Sequence, residues 1–328
     1  MTPHTHDRAL GALYGLAIGD ALGMPTQLMS RSAVHGVYGS VTGFLDAAPD
    51  HPLAAGMTAG SITDDTEQAL LLAKLLIDGG GHVDSGIFAN ALVEWEYGMR
   101  ARGSLDLLGP STKRAVQAVL DGEPVETAGR SGTTNGAAMR VTPIGLIMPS
   151  GDVDALVDRV VEASRVSHDT GVAIAGAAAV AAAVSAGIDG QSYLPVALAA
   201  ARIGAKRGNW VAAADVASRI DLATTLASPL EPAASLTAIY EVIGTSLATQ
   251  ESVPAAFGIL AIFPDDPWKA VCAAASLGGD SDTVAAMAGA IAGAVHGVDA
   301  WPEGARAMVR DVNHLDLESV AHALLALR

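Results

Sequence analysis

The sequence predicts an all-α protein, and three features of the residue pattern lead there. Apolar residues recur three and four apart, as in Val153, Leu156, Val157, Val160 and Val161, a spacing that lays one stripe along a helix. Small residues recur four apart in three separate stretches. Strand signals are thin: the best candidate is 37–45, and Gly39 and Gly43 interrupt it.

Taken in order, the first element is a helix over 8–23, with Gly11, Gly15, Gly19 and Gly23 along one side. Each Gly costs about 1 kcal/mol of helix propensity relative to Ala, so four in register imply a face against which another backbone packs closely. Helices are expected at 64–78, 85–99, 111–121 and 152–166. The next, 171–188, carries no charge and repeats the small stripe in Gly171, Ala175, Ala179, Ala183 and Gly187. Further helices are expected at 192–206, 209–219, 232–248, 252–261 and 267–276. The third stripe, Ala285, Gly289, Gly293 and Gly297, marks 284–298, and 316–327 closes the series. The segments 46–61, 79–86, 103–110, 122–136 and 149–152 are rich in Gly, Pro, Asp or Ser and read as loops. None has the length or bias of a linker. The expected organisation is one domain over 1–328, flexible at 1–7, with the first and last thirds meeting at its centre.

Composition narrows the function. Of 328 residues, 50% are apolar and 16% charged, which excludes wholesale disorder. Thirty-five acidic side chains against nineteen Lys and Arg give a net charge of −16. That balance leaves no basic face for a nucleic-acid polymer. Handling phosphates would require local positive charge, and a divalent cation is one source. The single cysteine, Cys272, excludes an internal disulfide and a thiolate zinc site within one chain. It points to a reducing compartment. Residues 1–9 lack the basic and apolar regions of a signal peptide, so a cytoplasmic location is expected. The charge-free 171–188 and 284–298 lack aromatic belts and Lys or Arg flanks. They read as buried helices rather than membrane spans.

Two acidic clusters carry the chemistry. In Ser61-Ile62-Thr63-Asp64-Asp65-Thr66-Glu67, a capping box with Asp64 as N-cap and Glu67 three residues on explains one Asp and the Glu. It does not explain two adjacent Asp flanked by Thr. In Leu277-Gly278-Gly279-Asp280-Ser281-Asp282-Thr283, a cap again explains one carboxylate and not the second. Four carboxylates converging at helix N-termini would repel unless cations lay between them. All-oxygen donors select hard ions such as Mg²⁺ or Mn²⁺, and a bridged pair of ions is the usual arrangement. A Ca²⁺ loop is not indicated, because neither cluster has its alternating ligands and central Gly. His168 sits between two helices, with Asp169 as the expected N-cap of the second. His296, on an apolar helix, reads as a core histidine.

Five motifs, Gly19-Asp20-Ala21-Leu22-Gly23, Thr63-Asp64-Asp65-Thr66, Asn135-Gly136-Ala137-Ala138-Met139-Arg140, Ser167-His168-Asp169-Thr170 and Gly278-Gly279-Asp280-Ser281-Asp282-Thr283, stand in characteristic order. With them the chain resembles the ADP-ribosylglycohydrolase family over about residues 8–298. The resemblance implies a single orthogonal multi-helix domain with a central binuclear Mg²⁺ or Mn²⁺ site, cleaving a bond at the anomeric carbon of a ribose. Matched by motif, the metal ligands are Thr63, Asp64, Asp65, Asp280, Asp282 and Thr283, with Asp64 and Asp65 catalytic. The uncharged loop 131–139 corresponds to the family's ribose- and diphosphate-wrapping loop. Its substrate-binding residues are Gly132, Thr133, Thr134, Asn135, Gly136 and Met139, joined by His168 and Gln27.

Gln27 is the departure. Several family members carry Glu at this position, and an amide cannot act as a general base. The change points away from serine-linked substrates. The expected function is metal-dependent hydrolysis of the ribose C1 bond of an N-linked ADP-ribosyl conjugate such as ADP-ribosyl-arginine, on a modified protein or as a related riboside. A nucleosidase acting on a small free riboside and a non-catalytic ADP-ribose-binding protein are the alternatives. The segment 29–59 is the natural flap over this corner.

Overall fold

A computed structural model describes residues 3–105, 108–227 and 231–328, and the regular segments among these are helical. The chain opens with α1 (Pro3–Gly23), a 3-10 turn at Met24–Thr26 and α2 (Arg31–Tyr38). After an irregular stretch come α3 (Asp64–Asp78), α4 (Ser85–Ala101), α5 (Pro110–Leu120) and the one-turn α6 (Val125–Ala128). The short α7 (Gly136–Met139) and α8 (Thr142–Ile147) lead into α9 (Val153–Ser164), α10 (Gly171–Ile188) and α11 (Tyr193–Gly204). Then follow α12 (Val216–Ala227), α13 (Pro232–Ala238) with a π-helical turn at Ile239–Ile243, and α14 (Thr249–Ile262). The series ends with α15 (Pro267–Ala275), α16 (Ser281–His296), a 3-10 turn at Val298–Ala300, α17 (Glu303–Asn313) and α18 (Leu317–Leu325). Among the described residues, β pairing is confined to three isolated bridges: Met29–Gly279, Thr134–Ala248 and Thr170–Asn209.

The small-residue stripes organise the centre. α1 and α16 run antiparallel with their backbones in contact. A Cβ on Gly15 would lie 2.1 Å from the Gly289 carbonyl oxygen, and one on Gly19 2.1 Å from that of Ala285. The first and last thirds therefore meet in the interior, as the stripes imply. α10 is buried along its whole length. It is long and apolar enough to cross a membrane by length and composition, yet all of that window lies inside the fold. Burial on every side, which follows from its all-round apolar surface, uses the same composition for a different end.

Several expectations are corrected. The strand at 37–45 is not formed: α2 runs to Tyr38, and the following stretch carries no strand. Ser30 caps α2 by accepting the Ala33 amide at 3.2 Å, and only Val34 of the helix is buried. The helix expected at 209–219 lies at Val216–Ala227, because Asn209 pairs with Thr170 in an extended link. The 232–248 helix stops at Ala238 and its π turn, and α17 is an additional element. α1 begins at Pro3, ahead of the expected start at 8, and residues 1–2 of the segment expected to be flexible lie outside the described residues. His296 is an exposed residue at the end of α16, with Nε2 2.9 Å from the Pro264 carbonyl oxygen, and not a core histidine.

One side chain ties the end of α8 to the end of α10. Arg328 donates to the carbonyls of Gly145 and Leu146 (both 2.9 Å) and Met148 (2.7 Å), and to the Asp189 carboxylate (2.6 Å). Burial pushes the Asp189 carboxyl up, but the bonds from Ser150 and Arg328 outweigh it and hold the group below its ordinary value. Charge-assisted bonds to carbonyls at a helix end are worth more than neutral ones. Arg328→Ala is expected to cost on the order of 2–3 kcal/mol at pH 7. A depressed carboxyl contributes stability that is present above its unfolded pKa and is lost as pH falls through the lower folded one. The gap between parent and variant in urea denaturation should therefore narrow below about pH 4. A pH-independent gap would contradict the role given to Asp189.

Candidate active site

The crossing of α1 and α16 places the acidic residues. At its deep end a Cβ on Gly23 would lie 2.3 Å from Asp282 Cα, so the C-terminus of α1 meets the N-terminus of α16. One turn earlier on α1, the fully buried Asp20 carboxylate accepts the Thr63 amide at 3.0 Å, the Thr63 hydroxyl at 2.7 Å and the Thr66 amide at 3.1 Å. Asp20 thus caps α3 from outside the helix. This corrects the capping-box reading. Thr63 is the N-cap, Asp64 is the first helical residue, and Glu67 accepts instead from Trp95 Nε1 at 2.6 Å and from Arg102. Capping accounts for neither Asp64 nor Asp65.

The second cluster is threaded into place by two glycines. Gly278 and Gly279 have φ of +76° and +75°, a region that favours Gly. The Gly279 amide donates to Met29 at 2.7 Å, and its carbonyl accepts the Leu28 amide at 2.6 Å. A Cβ on Gly278 would meet the Met29 oxygen at 2.5 Å, and one on Gly279 the Thr245 oxygen at 2.3 Å. Asp280 follows, its amide donating to the Thr245 carbonyl at 2.6 Å. Its carboxylate accepts Asn135 Nδ2 at 2.5 Å.

The two clusters then join. Thr283 Oγ1, on α16, donates to Asp65 Oδ2, on α3, at 3.3 Å, and Thr63 Oγ1 lies 3.5 Å from the same oxygen. Asp65 Oδ1 is buried with no hydrogen-bond partner among the described residues. Burial, followed by the charges of Asp282, Asp64, Asp20 and Asp280, pushes the Asp65 carboxyl well above its ordinary value. Burial raises Asp20 and Asp280 to about 6, against hydrogen bonds that pull them down. Desolvated carboxylates held together in this way cost free energy unless positive charge or protons compensate. Among the described residues no three carboxylate, imidazole or thiol groups are gathered tightly enough to hold one ion. The donor set nevertheless suits hard cations: it is all oxygen, it is buried, and it includes a carboxylate oxygen left without a partner.

Above the cluster lies a cavity of about 300 Å³, in the size range of small-molecule sites. Asp64, Asp280, Asp282 and Thr283 reach it from below, and Gln27, Thr134, Asn135, Gly136 and Met139 line its side. Gly132 and Thr133, in the same loop, pack against neighbouring elements. A Cβ on Gly132 would lie 2.0 Å from the Ser167 carbonyl oxygen, and the Thr133 carbonyl accepts the Thr249 hydroxyl at 2.9 Å. His168 is fully buried behind Thr134, with Nε2 3.0 Å from Thr134 Oγ1. Burial, then the charges of Arg140 and Arg114, holds it well below its ordinary value and so neutral. The helix after it is capped by Thr170, which accepts the Ala173 amide at 3.3 Å, and not by Asp169.

Sequence reasoning missed the parts that support this site. His51 Nδ1 accepts the Ala54 amide at 2.8 Å, which leaves Nε2 to donate to the Gln27 carbonyl at 2.9 Å. Gln27 Nε2 is itself buried without a hydrogen-bond partner among the described residues. Lys113, on α5, is the one Lys or Arg among the described residues that line the cavity. Asp20 was visible as part of a motif, but its capping role depends on a helix far along the chain.

Known proteins resemble this chain along its whole length. The family profile described as ADP-ribosylglycohydrolase matches residues 1–328. An uncharacterized protein of Escherichia coli (strain K12), YegU, is 37% identical over 326 residues, covering 98% of this chain and 97% of its own. The ADP-ribosylarginine hydrolase Tri1 of Pseudomonas putida (strain GB-1) is 28% identical over 302 residues, covering 90% of this chain and 72% of its own. A solved structure titled ADP-ribosylglycohydrolase-related protein complex superposes with a TM-score of 0.70 at 25% identity, covering 99% of each chain.

Proposed function

Because this chain belongs to the ADP-ribosylglycohydrolase family, a family of hydrolases acting on ADP-ribosyl conjugates, we propose that it cleaves the ribose C1–N bond of an ADP-ribosyl-arginine-type conjugate. The observation that supports this most strongly is the Asp65 carboxylate, buried with one oxygen unpartnered amid four other carboxylates. Thr63, Asp64, Asp65, Asp280, Asp282 and Thr283 would hold two divalent cations, Mg²⁺ or Mn²⁺. When bound, such ions supply charge neutralisation and Lewis acidity, the means by which a water becomes nucleophilic at neutral pH.

The chain's own groups do the rest. Water attacks C1 as the C1–N bond breaks, and the bonding pair leaves with the nitrogen. Positive charge grows on the ribose ring, where the carboxylates of Asp64, Asp65, Asp280 and Asp282 favour it. Asp64 and Asp65, at the N-terminus of α3, orient the water and take its proton. The leaving guanidine nitrogen picks up a proton with ease, which suits a site with no dedicated general acid. Gln27 offers its unpartnered amide as a donor to a ribose hydroxyl. Lys113 places a positive charge at the cavity wall for a phosphate. The relative named ADP-ribosylarginine hydrolase supports the choice of leaving group.

A panel of ribosides with Mg²⁺ or Mn²⁺ tests this reading, with Asp282→Ala as the inactive control. Release of ADP-ribose from ADP-ribosyl-arginine, lost in the variant, is the expected result. Cleavage of free nucleosides instead would make the protein a nucleosidase. Tight ADP-ribose binding with no turnover on any member would make it a binding protein.

A further inference from the structure

A chain of hydrogen bonds runs from a buried cation to the cavity wall. Arg140 is 1% exposed and, among the described residues, is the one buried Lys or Arg. Its guanidinium lies 5.0 Å from the centre of the Phe88 ring. Nη1 donates to Gln68 Oε1 at 2.9 Å, and Nη2 donates to Ser167 Oγ at 2.6 Å. A guanidinium has five donors and no acceptor. Burial lowers Arg140 only to about 10, so the charge persists at neutral pH.

That one-way character, together with the need of each buried O–H for an acceptor, sets the direction of the later bonds. Ser167 Oγ accepts from Arg140, so its single O–H turns to His168 Nδ1, 2.7 Å away. Nδ1 is then an acceptor, and the neutral ring carries its proton on Nε2. Nε2 donates to Thr134 Oγ1 at 3.0 Å. With its oxygen already receiving that bond, Thr134 directs its own O–H into the cavity that it lines. On the other arm, Arg140 holds Gln68 Oε1, which leaves Gln68 Nε2 to donate to Asp64 Oδ2 at 3.0 Å. Gly136 makes room for the arrangement, since a Cβ there would lie 2.8 Å from His168 Cε1.

We propose that Arg140, acting through Ser167 and His168, holds the Thr134 O–H free to donate to an acceptor oxygen of the ligand, of the kind carried by a phosphate group. Arg140, Ser167 and His168 are positioning residues; Thr134 is the group that meets the ligand. With one lone pair of Thr134 Oγ1 engaged by His168 and its O–H free, the hydroxyl favours ligand oxygens that accept, such as those of a phosphate. The identity of the ligand rests on the function proposed above, whereas the wiring is a property of the protein without ligand.

Two measurements test it separately. In the ligand-free protein, ¹⁵N NMR of the imidazoles should show His168 neutral with its proton on Nε2. A proton on Nδ1, or an imidazolium at neutral pH, would overturn the wiring. Arg140→Met should abolish the tautomer preference. Where that variant does not fold, Ser167→Ala removes the same link with a smaller change, and an unchanged tautomer preference in it would also contradict the proposal. Calorimetry with ADP-ribose and Mg²⁺ then reads the cavity end. Thr134→Val should weaken binding about tenfold or more, and Thr134→Ser should restore it to within about threefold. Equal binding by the parent and Thr134→Val would refute the donor role. No ADP-ribose binding by the parent would refute the function proposed above and leave the tautomer to decide the wiring.

Discussion

Replacing Asp65 with asparagine is expected to stabilise the metal-free protein while reducing turnover about 10³-fold or more. Asn matches Asp in shape and carries no charge. It therefore removes the repulsion that Asp282, Asp64, Asp20 and Asp280 exert on this buried group and keeps an oxygen for the Thr283 hydroxyl. The gain at pH 7.5 should be on the order of 1–3 kcal/mol. The pH dependence has a definite sign. Asp20 and Asp280, raised to about 6, bind protons more tightly folded than unfolded. Stability of the metal-free protein should fall as pH rises from about 4 through 6. Divalent cations should act in the opposite sense, stabilising more at pH 7.5 than at pH 5, because they compete with protons for the same oxygens. Urea denaturation with EDTA or Mg²⁺ at both pH values checks each statement. An Asp65→Asn protein that is less stable without metal and equally stabilised by Mg²⁺ would show that Asp65 is a structural group.

Gly289→Ala is expected to unfold the protein. The added Cβ would lie 2.0 Å from the Gly15 carbonyl oxygen on a facing backbone, with no flexible side chain to give way. α1 and α16 would have to separate, opening the centre of the core. Overpacking of this kind costs several kcal/mol, and the gain of about 1 kcal/mol in helix propensity does not offset it. Gly98→Ala on α4 supplies the contrast. Nothing stands within 4 Å of a Cβ there, so the same change should stabilise by about 0.5–1 kcal/mol. Gly23→Ala carries the effect into the site, since its Cβ would press on Asp282 Cα at 2.3 Å. Melting curves of the three variants are the test. Ordinary stability in Gly289→Ala would mean that the two helices do not touch as described.

The long helices were legible because burial imposes a period. α3 and α10 fall on the expected 64–78 and 171–188, where apolar or small residues repeat without interruption. The strand expected at 37–45 failed because Gly39 takes a left-handed φ of +72° and ends α2 there. α17 escaped notice because only Ala305 and Val309 of its eleven residues are buried, too few to make a stripe. At the site, paired carboxylates were readable as an excess over what capping needs. The source of the actual cap was not, because Asp20 reaches α3 only through tertiary packing. The same holds for the Arg140–Ser167–His168–Thr134 chain, whose bonds link side chains that no local pattern relates. His296 misled for the opposite reason: its helix is apolar, but the residue sits at the exposed last turn.

A crystal grown with Mn²⁺ and measured for anomalous scattering would test the oxygen cluster most directly. Strong peaks bounded by Asp64 and Asp65 on α3, by Asp280 just before α16 and by Asp282 on it are the result expected. A map at saturating Mn²⁺ with no peak between those four carboxylates would contradict the account.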